Sequence, residues 1–302
     1  MASLKEIKGR IASVGSTLKI TSAMKMVASA KLRKAQNAIG NMLPYQEGLQ
    51  DILRDLLADG DPSCFALSLL AAAPAQSVDE AGPTGVALVC FASNSSLCGA
   101  FNANAVREAL AAVREYEARG VKVTVYSVGR KMAEAMRKAG YPSPQDFTQL
   151  SAHPEYAPAA ALAQELMDGF SSGRFAKVEL IYNHFRSTAS QPTVRETYLP
   201  MREVCSAEPS SSSGPSSVAT DYIIEPDRAA QIALLLPKVM LLKIYTVLLD
   251  TSAAEHAART VAMQTATDNG NELLRQLTLE YNKSRQAKIT AEILDLEGGA
   301  LE

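Results

Sequence analysis

The sequence predicts a mixed fold, part α+β and part α/β. Two long terminal helices wind antiparallel into a coiled coil, and between them sits an α/β domain with a mainly parallel sheet. Three observations carry that reading. Apolar residues recur at spacings of three and four over about the first 40 and the last 70 residues. In the middle, β-rich apolar runs alternate with helical segments. The chain of 302 residues is 47% apolar but only 6% aromatic, with no Trp, so its core is aliphatic and largely helical.

The first helix opens on a capping box, Ser3-Leu4-Lys5-Glu6, in which serine and glutamate satisfy orphan amides. Leu4, Ile7, Ile11, Val14 and Leu18 follow at heptad spacing. The series continues through Thr21, Lys25, Ala28, Leu32, Ala35, Ile39 and Met42, with Thr21 and Lys25 as polar breaks. Residues 4–42 at ~1.5 Å each span roughly 58 Å. Pro44 is expected to kink or end this regular run, and the N-terminal coiled-coil segment as a whole is taken as 1–58 with a kink near Pro44. Residues 1–36 carry Lys5, Lys8, Arg10, Lys19, Lys25, Lys31, Arg33 and Lys34 against one acid, Glu6. The stretch ITSAMKMVASAKLRKA (20–35) is therefore small and methionine-rich on its apolar side and purely positive on its polar side. It lacks the apolar core of a secretory signal, and its pattern outruns a mitochondrial presequence, so it reads as part of the helix.

Residues 59–85 form a loop insert before the α/β domain, which spans 86–205. VALVCFA (86–92), VKVTVYSV (121–128) and KVELIYN (177–183) are its strands. Helices are expected near 103–119, 130–139 and 155–172, and PTVRETYLP (192–200) adds an edge strand. Strand alternating with helix gives a Rossmann-like domain. SAEPSSSSGPSSVAT (206–220) is low-complexity and reads as a flexible linker.

The C-terminal helix occupies the span 221–302. Pro226 suits a helix start, where its missing N–H costs nothing. Leu242, Leu249, Ala253, His256, Thr260, Met263, Thr267, Gly270, Leu274, Leu277 and Tyr281 fall in one heptad seam, small and polar beyond Leu249. A continuous helix over 227–296 extends on the order of 105 Å. IALLLPKVMLLKIYTVLL (232–249) is long enough to test as a membrane span. Lys238 and Lys243 each cost roughly 2.5–3.5 kcal/mol near a bilayer centre, and Pro237 interrupts the run. It is read as a helix buried against protein, with no transmembrane span.

Net charge is −2, which gives no reason to expect a nucleic-acid partner. Cys64, Cys90, Cys98 and Cys205 lack CxxC spacing and the histidines are His153, His184 and His256. No metal site or disulfide framework is expected. SNSSLCGAFN (93–102) stands between a strand and a helix, where α/β folds place phosphate loops or nucleophiles. It has the single glycine Gly99 and no GK[ST] element, and no histidine lies near Ser95, Ser96 or Cys98 in sequence to activate them. His256 reads as a packed seam residue, and GRK (129–131) as solvated charge. No catalytic residue and no cofactor are expected.

Both termini resemble the gamma subunit of the F-type ATP synthase. The resemblance rests on MASLKEIKGRIASVGSTLKITSAMKMVASAKLRKAQ (1–36) and on AEHAARTVAMQTATDNGNELLRQLTLEYNKSRQAKITAEILDLEGGA (254–300), whose closing ITAEILDLEGGA matches the family signature. LCGAFN, VGRK and EPD carry it more loosely through the middle. It implies a central rotor shaft that couples proton flow through a membrane c-ring to the catalytic alpha and beta subunits. The chain itself would be non-catalytic, peripheral, and on the cytoplasmic face of the bacterial inner membrane. By position, Met24 and Lys25 would meet a beta-subunit loop, and Arg259, Gln286 and Thr290 would form a second beta contact. Tyr222 and Glu225 would meet the c-ring and epsilon subunit at the foot. Cys98 and Gly99 keep the family's α/β-domain loop. The family commonly reads SDRGLCGGFN there, so Asn94, Ser95, Ser96 and Ala100 depart from it and remove an acid, an arginine and two glycines. A free-standing coiled-coil adaptor and a nucleotide-binding α/β protein are the alternatives.

Overall fold

The computed structural model describes residues 3–58, 85–201, 224, 225 and 227–299. The elements in chain order are α1 (Leu4–Ala58), β1 (Gly85–Phe91), α2 (Phe101–Ala118), β2 (Val123–Val128), α3 (Arg130–Lys138), α4 (Thr148–Ala152), α5 (Tyr156–Ser171), β3 (Phe175–Asn183), β4 (Thr193–Leu199) and α6 (Arg228–Gly299). Two compact units form, Met1–Ala30 with Arg259–Glu302, and Lys31–Ala258. The Ser-rich 206–220, Tyr222, Pro226 and all but the last residue of the 59–85 insert lie outside the described residues. Gly85 itself opens β1.

In the first unit α1 and α6 run antiparallel. Thr267 Oγ1 donates to Thr21 Oγ1 at 3.2 Å, and Lys25 Nζ donates to Gln264 Oε1 at 2.6 Å. Leu18 sits beside Gly270, so numbers rise on one helix as they fall on the other. The seam read from heptad spacing is the buried side: Ile7, Ala28, Met263 and Leu277 are buried, and Val14, Leu18, Thr21, Lys25, Thr267, Leu274 and Tyr281 are half-buried. At the start of α1, Ser3 Oγ accepts the Glu6 N–H at 3.2 Å as a cap should. Glu6 does not return the favour. Its carboxylate pairs with Arg10 at 2.7 Å, an i,i+4 neighbour on the same face.

The second unit holds a four-stranded sheet in the order β2-β1-β3-β4. β1 is parallel to β2 and β3, and β4 is antiparallel to β3 at the edge. Because successive residues of a strand face opposite ways, β1 feeds two cores. Ala87, Val89 and Phe91 join α5, the end of α1 and the start of α6. Val86, Leu88 and Cys90 join α2 and α3. A strand buried on both faces reads as an unbroken apolar run, which is why VALVCFA shows no alternation. Gly129 makes the β2–α3 turn: at φ +98°, a Cβ there would meet the Ala92 carbonyl oxygen at 2.0 Å. α4 is a short helix that no periodicity announces.

Neither proline ends its helix. α1 continues past Pro44 to Ala58, and α6 passes Pro237 without interruption. A mid-helix proline costs ~3 kcal/mol or more. Beyond Pro44, Leu53 and Leu56 are buried, and Leu236 and Val239 flank Pro237 in the core. At about 1.5–3 kcal/mol for each fully buried aliphatic side chain, that packing offsets the broken hydrogen bond. By length and hydropathy α6 is the one helix among the described residues that passes the test for a membrane span. Its apolar stretch is committed elsewhere: Ile232, Leu236, Val239, Met240, Ile244, Val247 and Leu248 lie in the sheet's core, and Lys243 pairs with Glu196.

On the α2 side of β3 and β4, Glu179 is buried and triply bonded. It accepts from Tyr116 at 2.8 Å, Lys177 at 2.5 Å and Arg195 at 2.7 Å. Arg195 also reaches Glu115 at 2.6 Å. Burial by itself raises the Glu179 pKa; the three hydrogen bonds outweigh it and the net direction is down. Glu115 is likewise held low, chiefly by its hydrogen bond from Arg195.

Candidate functional site

The two-helix unit is where sequence and structure together point. Its seam alternates aliphatic residues with small and polar ones. A Cβ on Gly270 would lie 2.6 Å from Leu18 Cδ2, so the glycine is the hollow that receives that leucine. Lys25 stands half-buried in the seam, where its bond to Gln264 compensates partial desolvation. Gln264 in turn donates to Asp268 at 2.8 Å.

Outside the seam the same unit turns large apolar groups to solvent. On α1, Ile20, Met26 and Val27 are 60%, 66% and 58% exposed. On α6, Leu273, Leu279, Ile289, Ile293 and Leu294 are also exposed. The packing of this unit leaves these apolar side chains open to solvent. Sequence reasoning passed over them, although the signal was present: none occupies a seam position, so each had to face outward.

The expected contact residues fall differently. Met24 is half-buried and adjoins Lys25. Gln286 and Thr290 are exposed one turn apart on one face of α6. Arg259 is buried, at 9% exposure. It stands 27 positions before Gln286, roughly 40 Å along the helix, so the structure does not bring these three together. Of the foot residues, Glu225 is exposed, and its carbonyl accepts from Gln231 Nε2. Asp227 Oδ1 then caps α6 through the Ala230 N–H at 2.7 Å.

The β1–α2 loop is a bracket. Cys98 is buried with Phe101 and Ala254, packed on by Phe185. Thus the space beyond the strand ends, where open α/β sheets take ligands, is filled here by apolar side chains and by the small face of α6. Asp250 ties the same place down, accepting the Phe185 N–H at 2.9 Å and meeting His184 Nδ1 at 2.7 Å. Gly99 has φ +60°, a backbone that favours glycine. Asn94 explains its own departure from the resembling pattern: its amide donates to the Thr148 carbonyl at 2.9 Å, while its Oδ1 accepts the Arg130 N–H at 2.8 Å. A carboxylate could make only the second bond. Burial pushes the Cys90 thiol far up, leaving no reactive thiolate there. Among the described residues no group of His, Cys, Asp and Glu gathers to hold a metal.

Comparison with known proteins agrees along the whole length. The sequence model of a family described as ATP synthase matches residues 3–301. The ATP synthase gamma chain of Phocaeicola vulgatus is 51% identical over 304 residues, covering 100% of both chains. That of Bacteroides thetaiotaomicron is 47% identical over 312 residues, again covering 100% of each. Among solved structures, a chain of the Euglena gracilis mitochondrial ATP synthase (OSCP/F1/c-ring, rotational state 3) superposes with a TM-score of 0.59 at 20% identity, covering 99% of this chain and 93% of that one. A chain of the Tetrahymena thermophila mitochondrial ATP synthase central stalk and c-ring gives 0.55 at 22% identity, over 82% and 99%. At those identities the two structures speak for the fold.

Proposed function

The chain belongs to the ATP synthase gamma-chain family, and on that premise we propose how it works as the rotor shaft of a membrane-associated ATP synthase. The observation that carries the proposal is the division of labour in the two-helix unit. Its seam mixes aliphatic residues with small and polar ones such as Thr21, Lys25, Ala28, Thr267 and Gly270, and further large apolar side chains, among them Ile20, Met26 and Val27, face outward. A shaft turning inside a ring must not bind tightly in one orientation. Methionine and medium aliphatic groups give adaptable, shallow contacts, and such groups, Ile20, Met26, Val27, Leu273 and Leu279 among them, stand exposed on the unit.

The chain does no chemistry itself; catalysis belongs to the interfaces of the alpha and beta subunits. Those ring subunits are nearly equivalent, whereas the shaft offers different faces to each. Moving a site from mostly closed to mostly open takes ~5.5 kcal/mol of differential interaction for a 10⁴-fold change, and only contacts that differ between shaft faces supply it. Lys25 has three N–H donors; one is spent on Gln264, and the remaining two, with Met24 alongside, meet an acidic beta-subunit loop. Gln286 and Thr290, exposed together, form the second beta contact, and Arg259 supports α6 below them. Tyr222 and Glu225 belong to the foot, against the c-ring and epsilon subunit. Cys98 and Gly99 shape the bracket of the α/β domain. The chain joins the membrane through these partners, on the cytoplasmic face of the inner membrane.

Reconstitution tests this. Alpha and beta subunits are assembled with and without the chain, and ATP hydrolysis is followed. The chain is expected to raise steady turnover severalfold while binding no nucleotide tightly by itself. Activity indifferent to its presence, or tight ATP binding by the chain alone, overturns the reading.

A further inference from the structure

The unit Lys31–Ala258 carries a groove of about 560 Å³ between α4 and α5, open to solvent on one side. Its floor is apolar, made of Phe147, Leu150 and Leu162, and its rim carries Asp146, Glu155 and Glu165. No lysine or arginine lines it among the described residues, and His153 is the one lining group that gains a positive charge. Two of the three carboxylates are held in place by hydrogen bonds. Glu165 accepts from Tyr126 at 3.1 Å and from Gln145 at 3.1 Å. Asp146 accepts the Thr148 N–H at 2.9 Å and the Thr148 hydroxyl, and those bonds keep its carboxyl below the usual range. Glu155 stands at the N-cap of α5 without capping it by its side chain. The acidic field is local, since the chain's net charge is only −2.

We propose that this groove docks a basic amphipathic segment of a partner protein, with Lys or Arg heads meeting Asp146, Glu155 and Glu165 and apolar side chains resting on Phe147, Leu150 and Leu162. An open trough suits one face of a peptide; a small-molecule site would bury about 70–90% of its ligand. The sign of the rim selects a cationic partner and rejects an anionic one. None of these residues belongs to the coiled coil, so the inference stands or falls independently of the shaft reading.

The test uses the full chain and a synthetic 14-residue helix of leucines and lysines, with a twin in which glutamate replaces lysine. Hydrogen–deuterium exchange locates binding, and fluorescence anisotropy at low and high salt measures it. The lysine probe is expected to slow exchange over 145–165 and to weaken at high salt. The double variant Glu155→Lys, Ala161→Arg, both at exposed positions, should bind it about tenfold more weakly, a shift of one decade in Kd. Glu155→Gln should bind about threefold more weakly, within the range for one exposed ion pair. A thermal melt confirms that the variants fold. No protection over 145–165, equal binding of the glutamate twin, or unchanged affinity in the folded variants would overturn the proposal.

Discussion

Asn94 shows how much one side chain can settle. It bridges the β1–α2 loop to both α3 and α4 because an amide donates and accepts at once. Asn94→Asp keeps the bond from Arg130 and faces the Thr148 carbonyl with a second acceptor. A loss of about 1–2 kcal/mol is expected, read from urea unfolding; an unchanged midpoint would mean that loop and α4 are not tied by this residue. Glu179 makes the complementary case. Glu179 and Glu115 both titrate below their usual value of 4.5 when folded. The stability they contribute is therefore present above that value and lost as pH falls through the lower folded one. Urea midpoints should drop below about pH 4.5, and Glu179→Gln should blunt that drop. At pH 7 the same variant should cost about 1–3 kcal/mol, since it leaves the half-buried Lys177 and Arg195 underpaired. A variant with an unaltered acid limb would sink this assignment. The sequence showed neither arrangement, because Thr148 and Arg130 for Asn94, and Tyr116 and Arg195 for Glu179, come from other elements of the chain.

At the scale of the element, heptad spacing named the inner side of α1 and α6 residue by residue, and those positions are buried or half-buried. Local sequence was less decisive about where helices stop. Pro44 and Pro237 carry real local penalties, yet their helices run on because packed residues lie on either side, Leu32 and Ala35 before Pro44 and Leu53 and Leu56 after it. Gly270 tests the seam. Gly270→Ala gains up to ~1 kcal/mol in helix propensity and displaces only the flexible end of Leu18, so it should be close to neutral. Gly270→Phe drives a ring into that space and should cost about 1–3 kcal/mol. Denaturant unfolding distinguishes the two, and equal costs would show that Leu18 does not sit in the glycine's hollow.

For the whole molecule, the exposed apolar groups separate stability from assembly. Met26 is 66% exposed, so Met26→Glu should leave the isolated chain's stability within about 0.5 kcal/mol. In the reconstituted complex it should lower ATP turnover, because a charge replaces a soft apolar contact beside the ring. A variant as active as the parent would remove Met26 from the bearing surface. The family resemblance made this role legible in the termini before any coordinates. The α/β domain was legible as strands and helices, while its cores and loop brackets were not.

The sequence by itself determined the periodic features: which side of each long helix faces inward, which runs are strands, and the positive character of the N-terminal helix. Each depends on spacing along the chain, and spacing is local information. Tertiary structure alone decided that Lys25 spends a donor on Gln264, that Leu18 enters at Gly270, that Arg259 is buried, and that the apolar run after Gln231 covers a sheet. Those outcomes depend on which distant residues share a volume closed to water, and there burial and hydrogen bonding between elements outweigh local preference.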